Sequence, residues 1–420
     1  MTYLFVKSKL LLCHLSYCLL LLLITACVSS PSSVQPLSSD SHRYLLTERE
    51  QKLVKISDKA HQELVDKGLI YRSKDMHDYV NRIGLSVVPE SVRGEVEFNF
   101  FILKKPEVNA FAMPNGNIYL HVGLLAKLEN EAELGFVLAH EVAHVVERHS
   151  YRRQLNRHNT VVTAHVADLL LFGTGLAYLP AGLDLASHSR DHETRADAQG
   201  FKYLNQAGYD LGQAEGVFTK LVDVKHQETV SSFWSSHPNS LLREKAARSS
   251  IEQQVLSDNR KVEAEVYKAF RRNIAELNIK LRLSHMQFEL AEDAVNSEIS
   301  RQGDMAQWQY YLGETYRLRA NNPEAVAREH SWLYNKRLND ELKQEFAQNK
   351  SLYLDSAIEH YRKTLQMDKN YSFAKKGLGL VAYSQKKYVN ARQYFDDYLH
   401  AKERRKDHRY IKNLIKKIGM

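Results

Sequence analysis

The stretch HEVAH, from 140 to 144, combines residue types that can hold a metal ion and move a proton. Because side chains four residues apart lie on the same side of a helix, His140 and His144 can bind one ion together. Glu141 would then lie beside that ion. This is the H-E-x-x-H pattern typical of zinc peptidases, in which the glutamate is the general base. The alternative is a pair of surface histidines without chemistry.

A catalytic zinc site normally has three protein ligands and one open position. His149 is near in sequence, but nine residues at about 100° each would place it opposite His140 on a continuous helix, which favours a surface or packing role. The segment SHSRDHETRADAQG (187–200) offers a better third ligand. On a helix, Glu193 and Asp197 share a face, so Glu193 can bind the metal while Asp197 accepts a hydrogen bond from a ligand histidine.

The segment LENEAELGFVLAHEVAHVVERH (128–149), which contains the motif, predicts one amphipathic helix. Asn130 can cap its start, with Glu133 three residues on. An apolar face that includes Leu134, Val137 and Leu138 should be buried.

The residues before this helix predict a small sheet. Residues 46–84 predict helices, whereas 95–105 and 109–123 have the alternation of strands, with a turn at 114–116. A strand edge beside the motif helix can bind an extended substrate by strand addition. Ordinary sheet packing is the alternative.

Four segments in this order resemble the membrane-associated zinc endopeptidases, a family that includes the CAAX prenyl proteases, HtpX and BepA. The segments are NAFAMPNGNIYLHVGLL (109–125), HEVAH (140–144), ETRAD (193–197) and HPNSLLR (237–243). The resemblance covers about 43–250 and implies a zinc metalloprotease domain with one zinc ion per chain. The implied ligands are His140, His144 and Glu193, with Glu141 as the base.

His237 and Arg243 match the H-P-x-x-x-x-R pattern of that family. On a mobile loop, His237 could occupy the open zinc position in the resting enzyme, or it could act in catalysis. Arg243 could stabilise the charged tetrahedral intermediate. The alternative is that both residues are structural, with Arg243 simply ion-paired.

The start of the chain predicts export. Residues 1–26 carry two lysines and an apolar run ending in LLLLLITA, which is typical of a secretory signal. The following Cys27 completes a sequence that resembles a bacterial lipobox, with an uncleaved anchor or an ordinary signal as alternatives. The residue after Cys27 is Val28 rather than Asp. In a Gram-negative cell this resembles the sequence of a lipoprotein that is sorted to the outer membrane. The Ser/Pro-rich segment 27–42 predicts a mobile tether. The chain has three cysteines, none of them beyond Cys27, so disulfides cannot stabilise the mature protein.

Residues 161–183 form the most apolar internal stretch. It is long enough to cross a membrane, but it contains His165, Asp168 and Pro180, which are costly in lipid. One crossing would also separate Glu193 from His140. We therefore predict a hairpin over the active site, buried or touching the membrane surface.

The segment 255–420 predicts an all-helical domain with tetratricopeptide-like repeats. The signals are Ala357-x3-Tyr361 and Ala391-x3-Phe395, which are 34 residues apart, and the Leu-Gly pairs at 312–313 and 378–379. An insertion around 321–350 would split one repeat. Stacked helix pairs of this kind form a groove that usually binds a protein partner.

The final stretch, 402–417, is strongly basic. It predicts a solvated capping helix, with contact to anionic lipid or an acidic partner as the alternative. The formal net charge of +8 alone does not indicate nucleic acid, which an exported protein would not meet.

Together these patterns predict a mainly helical α+β protein with a metalloprotease domain at 43–250 and a helical domain at 255–420. The expected function is a zinc endopeptidase, lipid-anchored in the periplasm and sorted to the outer membrane, that degrades misfolded or stalled envelope proteins. By resemblance, the barrel assembly machinery is a partner. The alternative is a non-enzymatic adaptor or holdase with a structural metal site that works through its repeats. An intact Glu141 favours the enzyme, because a structural site needs no base.

Overall fold

The computed structural model describes residues 34–37, 46–156, 190–220, 237, 243, 248–249, 251–252, 260–400 and 407–419. The predicted signal at 1–26, Cys27 and the apolar stretch 161–183 lie outside the described residues. Among the helices that the structure does describe, none is both long and apolar enough to cross a membrane.

The predicted mainly helical α+β fold is confirmed. In the first part of the chain the helices are α1 (Glu48–Asp66), α2 (Lys74–Ser86), α3 (Val122–Lys127), α4 (Glu131–Val146), α5 (His149–Asn156), α6 (Arg190–Gln206) and α7 (Leu211–Lys220). In the second part they are α8 (Ala264–Ser284), α9 (Phe288–Gln302), α10 (Ala306–Asn321), α11 (Pro323–Leu333), α12 (Asp340–Gln348), α13 (Lys350–Met367), α14 (Ser372–Ser384), α15 (Tyr388–Leu399) and α16 (His408–Ile418).

A three-stranded sheet lies against the motif helix. Its strands are β1 (Asn99–Leu103), β2 (Ala110–Ala112) and β3 (Asn117–His121), in the order β1-β3-β2. β3 pairs in parallel with β1 and antiparallel with β2, and the predicted turn joins β2 to β3. The Asn109 carbonyl oxygen and the Met113 backbone nitrogen form hydrogen bonds with β3. Because the backbone groups of successive residues point to opposite sides of a strand, those of Ala110 and Ala112 point to the open edge of β2.

The motif helix α4 begins where the sequence predicts. The Asn130 side chain accepts a hydrogen bond from the Glu133 backbone nitrogen at 2.9 Å. The predicted amphipathic character is wrong, because all sixteen residues of α4 are buried. α2, α6, α7 and α8 surround it together with the sheet, so that no face is left to solvent.

The predicted continuation of this helix to His149 is also wrong. α4 ends at Val146, and Arg148 has a left-handed backbone with φ of 54°. A left-handed residue just past a helix end terminates it, so the chain turns before α5 begins. His149 therefore does not follow the helical projection from His140.

Helix α6 packs closely on α4 at the motif. A Cβ atom added at Gly200 would lie 3.3 Å from the backbone of His140, closer than most side-chain contacts. Glu193, Asp197 and Gly200 have the spacing i, i+4 and i+7, so they share the face that meets α4. The absence of a side chain at Gly200 lets the two carboxylates approach the histidines.

Helix α8 joins the two parts of the protein. Its residues Tyr267, Phe270 and Ile274 belong to the core around α4, whereas Ala275 and Ile279 belong to the core of the following helices. The Tyr267 hydroxyl donates to the backbone oxygen of Leu125 in α3 at 2.8 Å. One helix is thus shared by both cores.

The helices after α8 pack in pairs that correspond to the repeat signals. α10 packs on α13, and α14 packs on α15. The two Leu-Gly signals mark close contacts, since a Cβ at Gly313 would lie 2.7 Å from Tyr361 and one at Gly379 would lie 2.6 Å from Phe395. The segment 321–350, predicted as an insertion, contains α11 and α12. Helix α16 ends the series, with Ile411 and Leu414 buried.

Residues 34–37, within the segment predicted as a mobile tether, are docked on the protein. The Leu37 backbone nitrogen donates to the Val146 oxygen at 2.9 Å, and Arg148 and Arg152 donate to the backbone oxygens of Gln35 and Val34 at 2.9 and 2.6 Å. These bonds follow from the early end of α4, which leaves the Val146 carbonyl without a partner in the helix.

Candidate metal centre

Four side chains from three regions of the chain meet in one buried cluster. They are His140 and His144 from α4, Glu193 from α6, and His237, and one ligand atom of each lies within 4.8 Å of all the others. The Nε2 atoms of His140 and His144 are 3.0 Å apart, and His140 Nε2 is 3.2 Å from His237 Nδ1. Glu193 Oε2 lies 3.2 Å from His237 Nδ1 and 3.4 Å from His140 Nε2.

The donor atoms and their separations fit one metal ion. In a tetrahedral site with bonds of about 2.0 Å, neighbouring ligand atoms are about 3.3 Å apart. Five of the separations in the cluster lie between 3.0 and 3.5 Å, and the four ligand atoms are all within 4.8 Å of one another. Imidazole nitrogen with carboxylate oxygen is a donor set that suits zinc and other first-row ions. The cluster therefore has the composition and size of a metal site.

Asp197 lies behind His140, where the sequence predicts it. His140 Nδ1 is 3.0 Å from Asp197 Oδ1, on the side of the ring away from the cluster. A carboxylate in this position fixes the orientation of a ligand imidazole and the nitrogen that carries its proton.

His149 contacts His144 from behind the cluster, a contact that the sequence did not indicate. Its Nδ1 lies 2.9 Å from His144 Nδ1, and its ring stacks on His192 with centroids 4.3 Å apart. Burial lowers the pKa of His149 to about 2, so its ring is neutral and can accept a hydrogen bond. The helical projection missed this contact because it assumed a continuous helix, and the residues Glu147 and Arg148 include no glycine that would mark the break.

Glu141 lies between the cluster and the open edge of β2. Its carboxylate is fully buried and lies beside the Ala112 backbone. Burial raises the pKa of Glu141, although the nearby His237 and His140 oppose the shift. His237 Nε2 lies 3.4 Å from Glu141 Oε1 and 3.4 Å from the Ala110 oxygen. The carboxylate thus faces the position that a bound peptide would take on the strand edge.

Arg243 connects three groups of the centre. Its guanidinium donates two bonds to Asp197, at 2.7 and 2.8 Å, and one to the His237 backbone oxygen at 3.1 Å. It also lies 3.1 Å from Glu193 Oε2. Burial alone would raise the pKa of Glu193, but His237 and His140 hold it well below the usual range. Arg243 adds a fixed positive charge beside the same carboxylate.

Comparison with known proteins agrees with this geometry. Residues 75–251 match the model of Peptidase family M48. Over 160 residues the chain is 31% identical to the putative beta-barrel assembly-enhancing protease of Vibrio cholerae, a match of 35% of this chain and 33% of that protein. The mitochondrial metalloendopeptidase OMA1 of Schizosaccharomyces pombe is 30% identical over 168 residues, which are 39% of this chain and 50% of that protein.

A further relative is the metalloprotease YcaL of Escherichia coli, 31% identical over 160 residues that make up 36% of this chain and 62% of that protein. The chain spans about a third of the length of the beta-barrel assembly-enhancing proteases that it matches. The matched region contains the whole cluster, from His140 to Arg243. Residues 75–251 of this chain are thus a metallopeptidase domain of family M48.

Proposed function

We propose that the protein is a zinc-dependent endopeptidase in which His140, His144 and Glu193 bind the metal. The observation that carries the proposal is the buried set of four donor atoms within 4.8 Å of one another, with a buried carboxylate beside it and an open strand edge next to both. Bound there, zinc would activate a water molecule and polarise the scissile carbonyl.

The residues of the chain have separate tasks in this reaction. The backbone groups of Ala110 and Ala112 on the open edge bind the extended substrate as an added strand. Glu141 takes a proton from the attacking water and delivers it to the leaving amine. Asp197 and His149 orient the two ligand histidines. Arg243, whose bonds go to Asp197, Glu193 and the His237 carbonyl, positions the centre rather than contacting the substrate.

The experiment that tests this function is cleavage of an unfolded protein by the purified, metal-loaded chain. We expect cleavage that a chelator abolishes and that added zinc restores. The adaptor alternative predicts no cleavage in any of these conditions, while the protein would still bind the unfolded substrate. Metal content measured in the same samples separates loss of zinc from loss of activity.

His237 would close the site at rest. Its Nδ1 is the fourth donor of the cluster, and its Nε2 side faces Glu141 and the edge of β2, where substrate would bind. Substrate must therefore displace this ring before Glu141 can act. A partner that moved the segment around His237 would activate the enzyme.

The variant His237→Ala should cleave a generic unfolded protein faster than the wild type, at equal zinc content, because three ligands remain and the fourth position is open. The measurement is the initial rate per bound zinc. The matched control is His400→Ala, an exposed histidine at the end of α15. A rate below that of the wild type with zinc intact would contradict the latch and assign His237 to catalysis.

We further propose a lipid anchor at Cys27 that holds the enzyme at the periplasmic side of the outer membrane. There it would degrade misfolded or stalled envelope proteins. This proposal rests on the lipobox-like sequence and on the relatives named as beta-barrel assembly-enhancing proteases. The helices from α9 to α16, as a tetratricopeptide-like domain, would bind a component of the barrel assembly machinery.

Removing the lipid acceptor should release the protein. Cys27→Ser is expected to move the chain from the membrane fraction to the soluble periplasmic fraction, because the described helices include none that can span a membrane. Fractionation followed by a high-salt wash measures this, with Cys18→Ser as the matched control. Retention of Cys27→Ser after the wash would show another anchor and point to 161–183.

A further inference from the structure

An apolar pocket opens beside the metal centre, past the carboxyl end of β2. Its apolar lining includes Leu37, Leu46, Leu53, Val96, Met113 and Val145. The pocket is also lined by His144, whose Nε2 belongs to the metal cluster, and by Ala112, which lies on the open edge of β2. The pocket and the edge that would bind substrate are therefore continuous.

The docked segment 34–37 forms one wall of this pocket. Leu37 is 8% exposed, and its backbone is bound to the end of α4. Arg148, which holds the Gln35 carbonyl, also donates to Glu50 Oε1 at 2.7 Å. Arg148 and Glu50 form a buried ion pair in which the two charges compensate each other. Through Arg148, this pair holds segment 34–37 against α1.

The direction of β2 determines which part of a substrate reaches the pocket. β2 runs from Ala110, beside His237, towards Met113, which lines the pocket. An antiparallel partner runs the opposite way, so its amino-terminal part lies over the carboxyl end of β2. A side chain on the amino-terminal side of the scissile bond would then point to the pocket.

We propose that this pocket is a specificity site for one bulky apolar side chain on the amino-terminal side of the scissile bond, with Leu37 as its outer wall. The proposal rests on the endopeptidase function proposed above. The lining of the pocket disfavours charged side chains, because a charge placed there would lose its hydration. Arg148 and Glu50 could not compensate it, since they are paired with each other. The segment that leads to the proposed lipid anchor would thus also shape the substrate site.

The first test is the cleavage profile of a peptide library, read by mass spectrometry. We expect the wild type to prefer Leu or Phe over Lys or Asp by about tenfold or more at one position before the scissile bond. Leu37→Ala should widen the pocket and move the preference to larger side chains by about tenfold, and Leu37→Trp should move it to Ala and Val. Leu352→Ala, an exposed leucine in α13, is the control and should leave the profile unchanged.

The second test measures binding without turnover. A fluorescent peptide with Phe at the preferred position is titrated into the Glu141→Gln protein. If no cleavage occurs and no preferred position is known, a set of peptides with Leu at each position in turn is used instead. Leu37→Trp in this background should narrow the pocket and raise the Kd for the Phe or Leu peptide about tenfold, and should leave the Kd of the same peptide with Ala unchanged. Leu352→Ala should change neither.

The outcomes separate this inference from the proposed function. If no variant cleaves any peptide but the Leu37 dependence of binding holds, the endopeptidase function fails and the pocket stands. Cleavage with no apolar preference before the scissile bond would overturn the pocket while leaving the peptidase intact. A preference that the Leu37 variants do not move would overturn the role of Leu37, and equal zinc content in all variants excludes general damage.

Discussion

Replacing Glu141 by glutamine should lower the rate of peptide cleavage by about 10²–10⁴-fold, the usual effect of losing a general base. The amide keeps the shape of the side chain, but it cannot take up a proton. Because Glu141 is not among the four donors of the cluster, the zinc content should not change. The measurement is kcat/KM on an unfolded protein, with zinc determined in the same samples.

The matched control is Glu265→Gln, which makes the same change on an exposed side chain of α8. It should retain wild-type activity and zinc. A Glu141→Gln protein that is fully loaded with metal and cleaves at a near-normal rate would refute the general-base assignment. Loss of both zinc and activity would instead place Glu141 among the groups that hold the metal.

Replacing Glu193 by alanine should remove the metal. Its two oxygens lie 3.4 Å from His140 Nε2 and 3.5 Å from His144 Nε2, and it is the one carboxylate of the donor set. Removal also takes away one of the two carboxylates beside Arg243, whose two bonds to Asp197 remain. Since loss of a supporting group alone typically costs about 10–100-fold in metal affinity, loss of a ligand should cost at least as much.

Competition with a chelator measures this affinity, and Asp191→Ala provides the control. Asp191 lies two residues earlier on α6 and is exposed, so its removal tests the loss of an acidic residue from the same helix. Unchanged zinc affinity in Glu193→Ala would show that the third ligand is another residue, and His237 would be the first candidate. A thermal unfolding curve of the metal-free proteins separates ligand loss from misfolding.

The sequence was sufficient to predict the parts of the site that depend on local helical geometry. The same-face spacing of His140 with His144, and of Glu193 with Asp197, follows from the helix repeat that each short segment carries. The Asn130 cap depends on residues three apart. The Leu-Gly pairs at 312–313 and 378–379 lie where two pairs of helices are in close contact, while the tetratricopeptide-like repeat itself stays a prediction.

Tertiary structure alone decided how far α4 extends and what covers it. Its burial on every side depends on the summed packing of α2, α6, α7, α8 and the sheet, which no pattern within 128–149 records. The left-handed turn at Arg148 brings His149 under His144, whereas the helical projection placed it on the opposite side. Which backbone conformation a non-glycine residue adopts there is set by the contacts of its neighbours.

Short-range patterns in the sequence determined one part of this protein, and long-range packing determined the rest. Residue types and short spacings indicated the chemistry proposed above: two histidines and a glutamate as metal ligands, a second glutamate as the base, and an aspartate beside a ligand histidine. The folded chain decided the distances between them, the contact of His237 with the cluster, the three groups that Arg243 connects, and the docking of Leu37 beside the open strand edge. These contacts join residues far apart in sequence, and their geometry results from burying the whole core at once rather than from any local pattern.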